Sequence, residues 1–194
     1  MKFLLLIPIN SYESRPNLFK IRWGTIDRTN SANDASVAKI IRHPSYSSNT
    51  IDFDVAVIIL ENPILPASNA EMVTLGDDLP TESDNLRLTG WGRNENNQLP
   101  GILSKAESLK YISTSECQSK WGSVNAITPR MLCVVSTTQS ACNGDSGGPL
   151  VRQDNKLQVG VVSWGANGCR VNTYPNVFAS VQNLKPWIVS NSAD

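Results

Sequence analysis

Between residues 86 and 180 the chain breaks into six short runs rich in apolar and β-branched residues, at 86–91, 103–112, 131–135, 148–152, 157–164 and 176–180. Turn-forming residues separate them. Runs of this length between Gly, Pro, Asn, Asp and Ser clusters read as β-strands. Six strands are enough to close a small barrel and leave no unpaired edge. Upstream, residues 20–25 alternate until Gly24, 29–34 form a polar loop, and 37–41 make a further strand. After the His43-Pro44 turn comes 53–60, a nearly continuous apolar run entered by Asp54. The stretch 61–85, with Pro63, Pro66 and Pro80, reads as a crossover between two units. Residues 113–116, Ser-Thr-Ser-Glu, open a short helix with Ser or Thr as N-cap.

One run carries chemistry. Cys142-Asn143-Gly144-Asp145-Ser146-Gly147-Gly148-Pro149-Leu150 sets a single hydroxyl among glycines that permit tight backbone geometry, with Pro149 fixing the exit. A serine held this way can be presented as a nucleophile. The Gly144 and Ser146 amides are placed to meet the oxyanion of an acyl-transfer intermediate, an effect worth about 10²–10³ in rate per donor. Taken alone, an ordinary glycine-rich turn explains such a run equally well.

Composition excludes several functions. The 194 residues carry 17 basic and 17 acidic side chains, with no basic run interleaved with aromatics, so no nucleic-acid partner is expected. No apolar stretch reaches the roughly 18–20 residues of a membrane span. Four cysteines without a C-x-x-C pair, and the single histidine His43, make a zinc site unexpected. Cysteine counting leaves three pairings open. Lys2 followed by the apolar residues 3–9 is similar to the start of a signal peptide, but Pro8 interrupts it and no small-x-small site follows. An arbitrary start is the other reading.

Three motifs in order give a resemblance. Residues 144–149 resemble the GDSGGP signature of the chymotrypsin/trypsin-like serine protease family (peptidase S1). Thr89-Gly90-Trp91-Gly92 resembles its TGWG, and Val162-Ser163-Trp164-Gly165 its VSWG. The resemblance implies an all-β, trypsin-like double β-barrel. It divides the chain into a segment 1–18 without a counterpart, a partial first barrel at 19–62, a crossover at 63–85, and a complete second barrel at 86–194 ending in a helix around 183–188. Asn183 or Gln182 would cap that helix and Trp187 would pack inward. It selects the pairs Cys117–Cys133 and Cys142–Cys169, and with them an oxidising, extracellular setting. A further family bridge is replaced by Leu86 and Arg152.

By the same resemblance Ser146 is the nucleophile and Gly144 with Ser146 forms the oxyanion hole. Asp54 is the carboxylate, hydrogen-bonded by Ser163, with Asp52 as its competitor two residues away. The base is missing: no TAAHC motif is present, and His43 matches the family's surface IIxHPxY segment, where a loop role is expected. The ammonium group that pairs with the Asp before the nucleophile in active members has no counterpart here. Asp145 is therefore expected to turn outward or find other donors, with a zymogen-like hole. Three strands in the first unit would leave open edges.

Ser140 aligns with the base of the specificity pocket, where an Asp would select Lys or Arg. A neutral Ser implies an apolar or aromatic side chain before the scissile bond. Trp164 and Gly165 line one wall, and Asn176, where a Gly is usual, narrows the pocket toward small apolar residues. No acidic pair suits the family's calcium loop, so neither metal nor cofactor is expected. The functional expectation is a secreted serine endopeptidase without turnover in these residues, its partners being protein or peptide substrates or protease inhibitors. The alternative is a non-catalytic homologue acting as a secreted binding or decoy protein.

Overall fold

The computed structural model describes residues 15–30, 33–65, 69–171 and 173–192. Strands β1 (Lys20–Arg22), β2 (Asp34–Arg42) and β3 (Ala56–Leu60) form one antiparallel sheet in that order. Its core gathers Val37, Ile40, Ala56, Ile58, Leu60 and Ile64. All five β3 side chains are buried, as expected of a continuous apolar run. The run is shorter than the expected 53–60. Ile51 and Phe53 both take positive φ, 53° and 54°, so the chain enters β3 through a tight turn and Asp54 sits in that turn.

The second unit is a closed six-stranded barrel. Strands β4 (Leu86–Gly90), β5 (Ser104–Ile112), β6 (Met131–Val135), β7 (Pro149–Arg152), β8 (Gln158–Trp164) and β9 (Asn176–Ser180) close in the order β4-β5-β6-β9-β8-β7. Leu86, Leu109, Leu132, Leu150 and Phe178 fill the interior, each essentially without exposed surface. Burial of each such side chain contributes about 1.5–3 kcal/mol. Leu86 and Arg152 face each other across β4 and β7, so the positions of the absent bridge are neighbours in register.

Helix α1 (Thr114–Trp121) begins where expected, with the Ser113 hydroxyl accepting from the Glu116 amide at 3.2 Å. Cys117 on its inner face bonds Cys133 of β6, and a second disulfide joins Cys142 to Cys169. Both pairs are those the resemblance implied. Helix α2 (Val181–Ser192) departs from expectation at its start: it follows β9 without a loop, so Gln182 and Asn183 lie inside it. Asn183 Nδ2 instead donates back to Ser180 Oγ at 3.3 Å. Val181, Leu184 and Ile188 pack with Val55, Val161 and Ala179, and Trp187 packs against the same cluster, which joins the first sheet to the barrel. The signal-like residues 3–9 lie outside the described residues.

Candidate active site

Two consecutive turns build the 142–150 loop. The Asp145 amide donates to the Cys142 carbonyl at 2.9 Å, and the Gly148 amide to the Asp145 carbonyl at 2.8 Å. Gly144 (φ 101°) and Gly147 (φ 82°) take the third position of each turn, where a type II turn needs positive φ. Ser146 is thereby the second residue of the second turn. The loop is pinned to β8 by Gly147 N to Val162 O at 2.9 Å and Val162 N to Gly148 O at 3.0 Å. Among the described residues the Ser146 hydroxyl makes no hydrogen bond, and neither the Gly144 nor the Ser146 amide donates to a backbone carbonyl.

Asp145 points inward and has found other donors. Its Oδ1 accepts from the Gly92 amide at 2.8 Å and its Oδ2 from the Cys142 amide at 2.9 Å. The carboxylate lies so close to the 90–92 turn that a Cβ built on Gly90 would meet Oδ1 at 2.0 Å, and one on Gly92 would meet Oδ2 at 2.3 Å. Both glycines are therefore required sterically. A cleft of about 770 Å³ opens beside Asp145, lined by Gly90, Gly92, Ser140, Cys142 and Gly168 among others.

Asp54 is buried, and its Oδ2 accepts from the Ser163 hydroxyl at 2.6 Å, the contact expected between these residues. Asp52 does different work. Arg130 grips it through Nε and Nη2, Thr128 donates at 2.8 Å, and the Phe53 amide donates at 2.8 Å. Burial pushes the Asp52 carboxyl up, but these donors together outweigh it and hold the group below its ordinary value. The Arg130 guanidinium also lies 4.5 Å from the centre of the Phe53 ring.

His43 is not a surface residue. It is 8% exposed, with its ring 4.6 Å from both Phe53 and Trp187, and its Nδ1 accepts from the Ser45 amide at 3.1 Å. Burial lowers its pKa, against a smaller opposite effect of Asp52, and because Nδ1 accepts the Ser45 amide the neutral ring carries its proton on Nε2. No described hydrogen bond joins His43 to Ser146 or Asp54.

Asn176, the first residue of β9, reaches toward the segment before the Ser146 loop. Its Oδ1 accepts from the Ala141 amide at 2.9 Å and the Ser140 hydroxyl at 3.1 Å. Its Nδ2 approaches the opposite side, 3.0 Å from a Cβ built on Gly165. Trp164 packs against Trp121 with ring centres 4.7 Å apart, and Trp121 in turn stacks on Tyr174 at 4.7 Å. Sequence reasoning overlooked the Asp52–Arg130 pair, because a contact spanning 78 residues leaves no local signal. The paired glycines of the TGWG motif were a signal, although their steric reason is visible only with Asp145 in place.

Fold and loop geometry together define a serine-protease-like β-barrel protein. The Trypsin family profile matches residues 12–188. The chain is 34% identical over 180 residues to Trypsin iota of Drosophila melanogaster, covering 92% of this chain and 70% of that protein. It is 35% identical over 159 residues to Trypsin delta of Drosophila erecta, with coverage of 80% and 61%. With Trypsin 5G1 of Aedes aegypti it shares 35% identity over 173 residues, with coverage of 87% and 64%. This chain belongs to the trypsin family of serine proteases. It spans 61% to 70% of the length of these relatives.

Proposed function

We propose that the chain is a serine-endopeptidase-type molecule in which Ser146 is the nucleophile, Asp54 the orienting carboxylate, and the Gly144 and Ser146 amides the oxyanion donors. The observation that carries this reading is the Ser163–Asp54 hydrogen bond at 2.6 Å, which links the 162–165 motif to a buried carboxylate. In a triad the serine is a weak nucleophile until a base takes its proton. These 194 residues contain one histidine, and its Nδ1 already accepts a backbone amide while its ring is packed between Phe53 and Trp187. Loss of the base from a comparable triad costs about 10⁶ in kcat. The 194-residue chain is accordingly predicted to show no peptidase turnover.

The pocket favours small uncharged side chains before the scissile bond. Neutral Ser140 offers nothing to Lys or Arg, and the Asn176 side chain occupies room an aromatic ring would need. The cleft beside Asp145 supports a further reading: among the described residues its carboxylate is held by two backbone amides, and a chain-terminal ammonium group reaching it would supply the counter-charge that active relatives use. Two disulfides suit an oxidising extracellular setting. Protein or peptide substrates and protease inhibitors are the proposed partners.

The second reading is a secreted binding or decoy protein, and the buried, engaged state of His43 favours it for the chain as it stands. A fluorophosphonate probe separates the two. The expected result is no labelling of the 194-residue chain above that of Ser146→Ala. Fast labelling that disappears in Ser146→Ala would overturn the prediction of inactivity.

A further inference from the structure

The chain contains Asn-Gly at two places, Asn143-Gly144 and Asn167-Gly168, and they flank one disulfide, Cys142–Cys169. The backbone amide after an asparagine can attack the side-chain carbonyl carbon, and a glycine amide is the least hindered because no Cβ shields it. Hydrogen bonds to either reacting group suppress the reaction, since they must break first. Here neither group is held. Among the described residues the Gly144 amide donates to nothing and the Asn143 carboxamide makes no hydrogen bond, and both residues are exposed. The fold also requires the glycine that makes the attack easy. Gly144 has a φ of 101°, and a Cβ on it would meet the Gly92 Cα and the Leu99 Cδ2, each at 3.2 Å. The exposed pair Asn167-Gly168 is alike, with φ 80° at Gly168 and no hydrogen bond to the Asn167 side chain among the described residues.

We propose that Asn143-Gly144 is a site of spontaneous covalent modification, at which the loop converts its own asparagine to an aspartyl or isoaspartyl residue. Gly144 N gives up its proton to hydroxide and bonds to Asn143 Cγ. The Cγ–Nδ2 bond breaks, and the nitrogen takes a proton from water and leaves as ammonia. Water then opens the cyclic imide. Cleavage at Cγ–N gives the aspartyl product, and cleavage between the Asn143 carbonyl carbon and N gives the isoaspartyl one. The imide nitrogen carries no hydrogen, so one of the two proposed oxyanion donors is lost while the ring is closed, a loss worth about 10²–10³ in rate. The isoaspartyl product adds a methylene to the chain at the same point. Either product also brings a negative charge to the cleft that Asn143 lines together with Asp145. The effect on the oxyanion donors rests on the proposed reading of Gly144 and Ser146; the modification itself does not.

The test is peptide mapping of the folded protein. The 194-residue chain and a free peptide spanning 139–149 are held side by side at neutral pH. Samples are digested in acid, and mass spectrometry scores each asparagine for exchange of its amide for an acid. Isoaspartate is read separately with protein isoaspartyl methyltransferase. Because neither reacting group must first leave a partner, position 143 should convert in the folded chain within about tenfold of the peptide's rate. The rate should climb with pH in both. Asn85, whose Oδ1 accepts from Lys110 Nζ at 2.7 Å and which precedes the buried Leu86, should stay unchanged over the same period. Asn143→Gln alters an exposed side chain and should abolish the change at 143 while leaving conversion at 167 as it was. Conversion at 143 slower than in the peptide by more than about tenfold overturns the proposal. Conversion of Asn85 as fast as Asn143 overturns it as well. Neither result depends on the role proposed for Ser146.

Discussion

At the scale of single residues, Asp145 dictates what its neighbours can be. Its carboxylate fills the space over the 90–92 turn, so Gly90→Ala would force a methyl into contact with Oδ1. The variant is expected to lose about 1–3 kcal/mol, the usual cost of overpacking a fitted site, measured by urea denaturation. Gly101 has no comparable neighbour, only Asp27 Oδ1 at 4.0 Å, and Gly101→Ala is the matched control. His43 yields a prediction about pH. Its folded pKa lies below the ordinary value of 6.5, so on acidification the unfolded chain takes up a proton before the folded one does. Its contribution to stability is complete above that value and is lost as the pH falls through the folded pKa. The melting temperature should drop as the pH falls below the ordinary histidine value of 6.5, and His43→Phe should flatten that slope. Asp52, whose pKa is also lowered, acts only in the acidic carboxylate range and does not contribute to this window.

Among the elements, the loops flanking β7 and β8 depend on a cross-link. Cys142 and Cys169 close a loop across a sequence separation of 27, and loop-closure entropy for that length is worth about 3–4 kcal/mol. The double variant Cys142→Ser/Cys169→Ser should lose stability of that order in guanidinium denaturation. Elements of this kind were also the most readable in the sequence. The spans 131–135 and 176–180 coincide with β6 and β9, because turn residues flank short apolar runs there. The Ser113 cap was legible for the same local reason. The entry to β3 was not, since Ile51 and Phe53 adopt positive φ without a glycine to announce it. The start of α2 was misread because Ser180 ends a strand and borders a helix at once, leaving no loop to carry a cap signal. In the candidate site, Ser146, Asp54 and Ser163 were legible as motifs, and Asn176 as a departure from one. The buried contact of His43 with the tilted ring of Trp187, 144 positions away, had no local signature.

For the whole molecule, the small sheet and the barrel are joined, among the described residues, by the cluster of Val55 with Val161, Ala179 and Ile188 and by the ion pair of Asp52 with Arg130. Thermal unfolding is therefore expected to be a single transition when followed by circular dichroism. Arg130→Met would leave Asp52 poorly compensated. The loss should be about 3 kcal/mol, the low end for a broken buried pair, because the Arg130 side chain keeps 29% of its surface exposed. It should also split the transition in two. The Ser163–Asp54 bond has a consequence of its own, because it spans 109 residues of sequence and ends at the entry to β3. If 162–165 is a substrate wall, as proposed, a molecule seated against Trp164 and Gly165 would hold Ser163 still, and through it Asp54. Its arrival should be readable in amide hydrogen exchange as slower opening of β3, residues 56–60, on the far side of that bond.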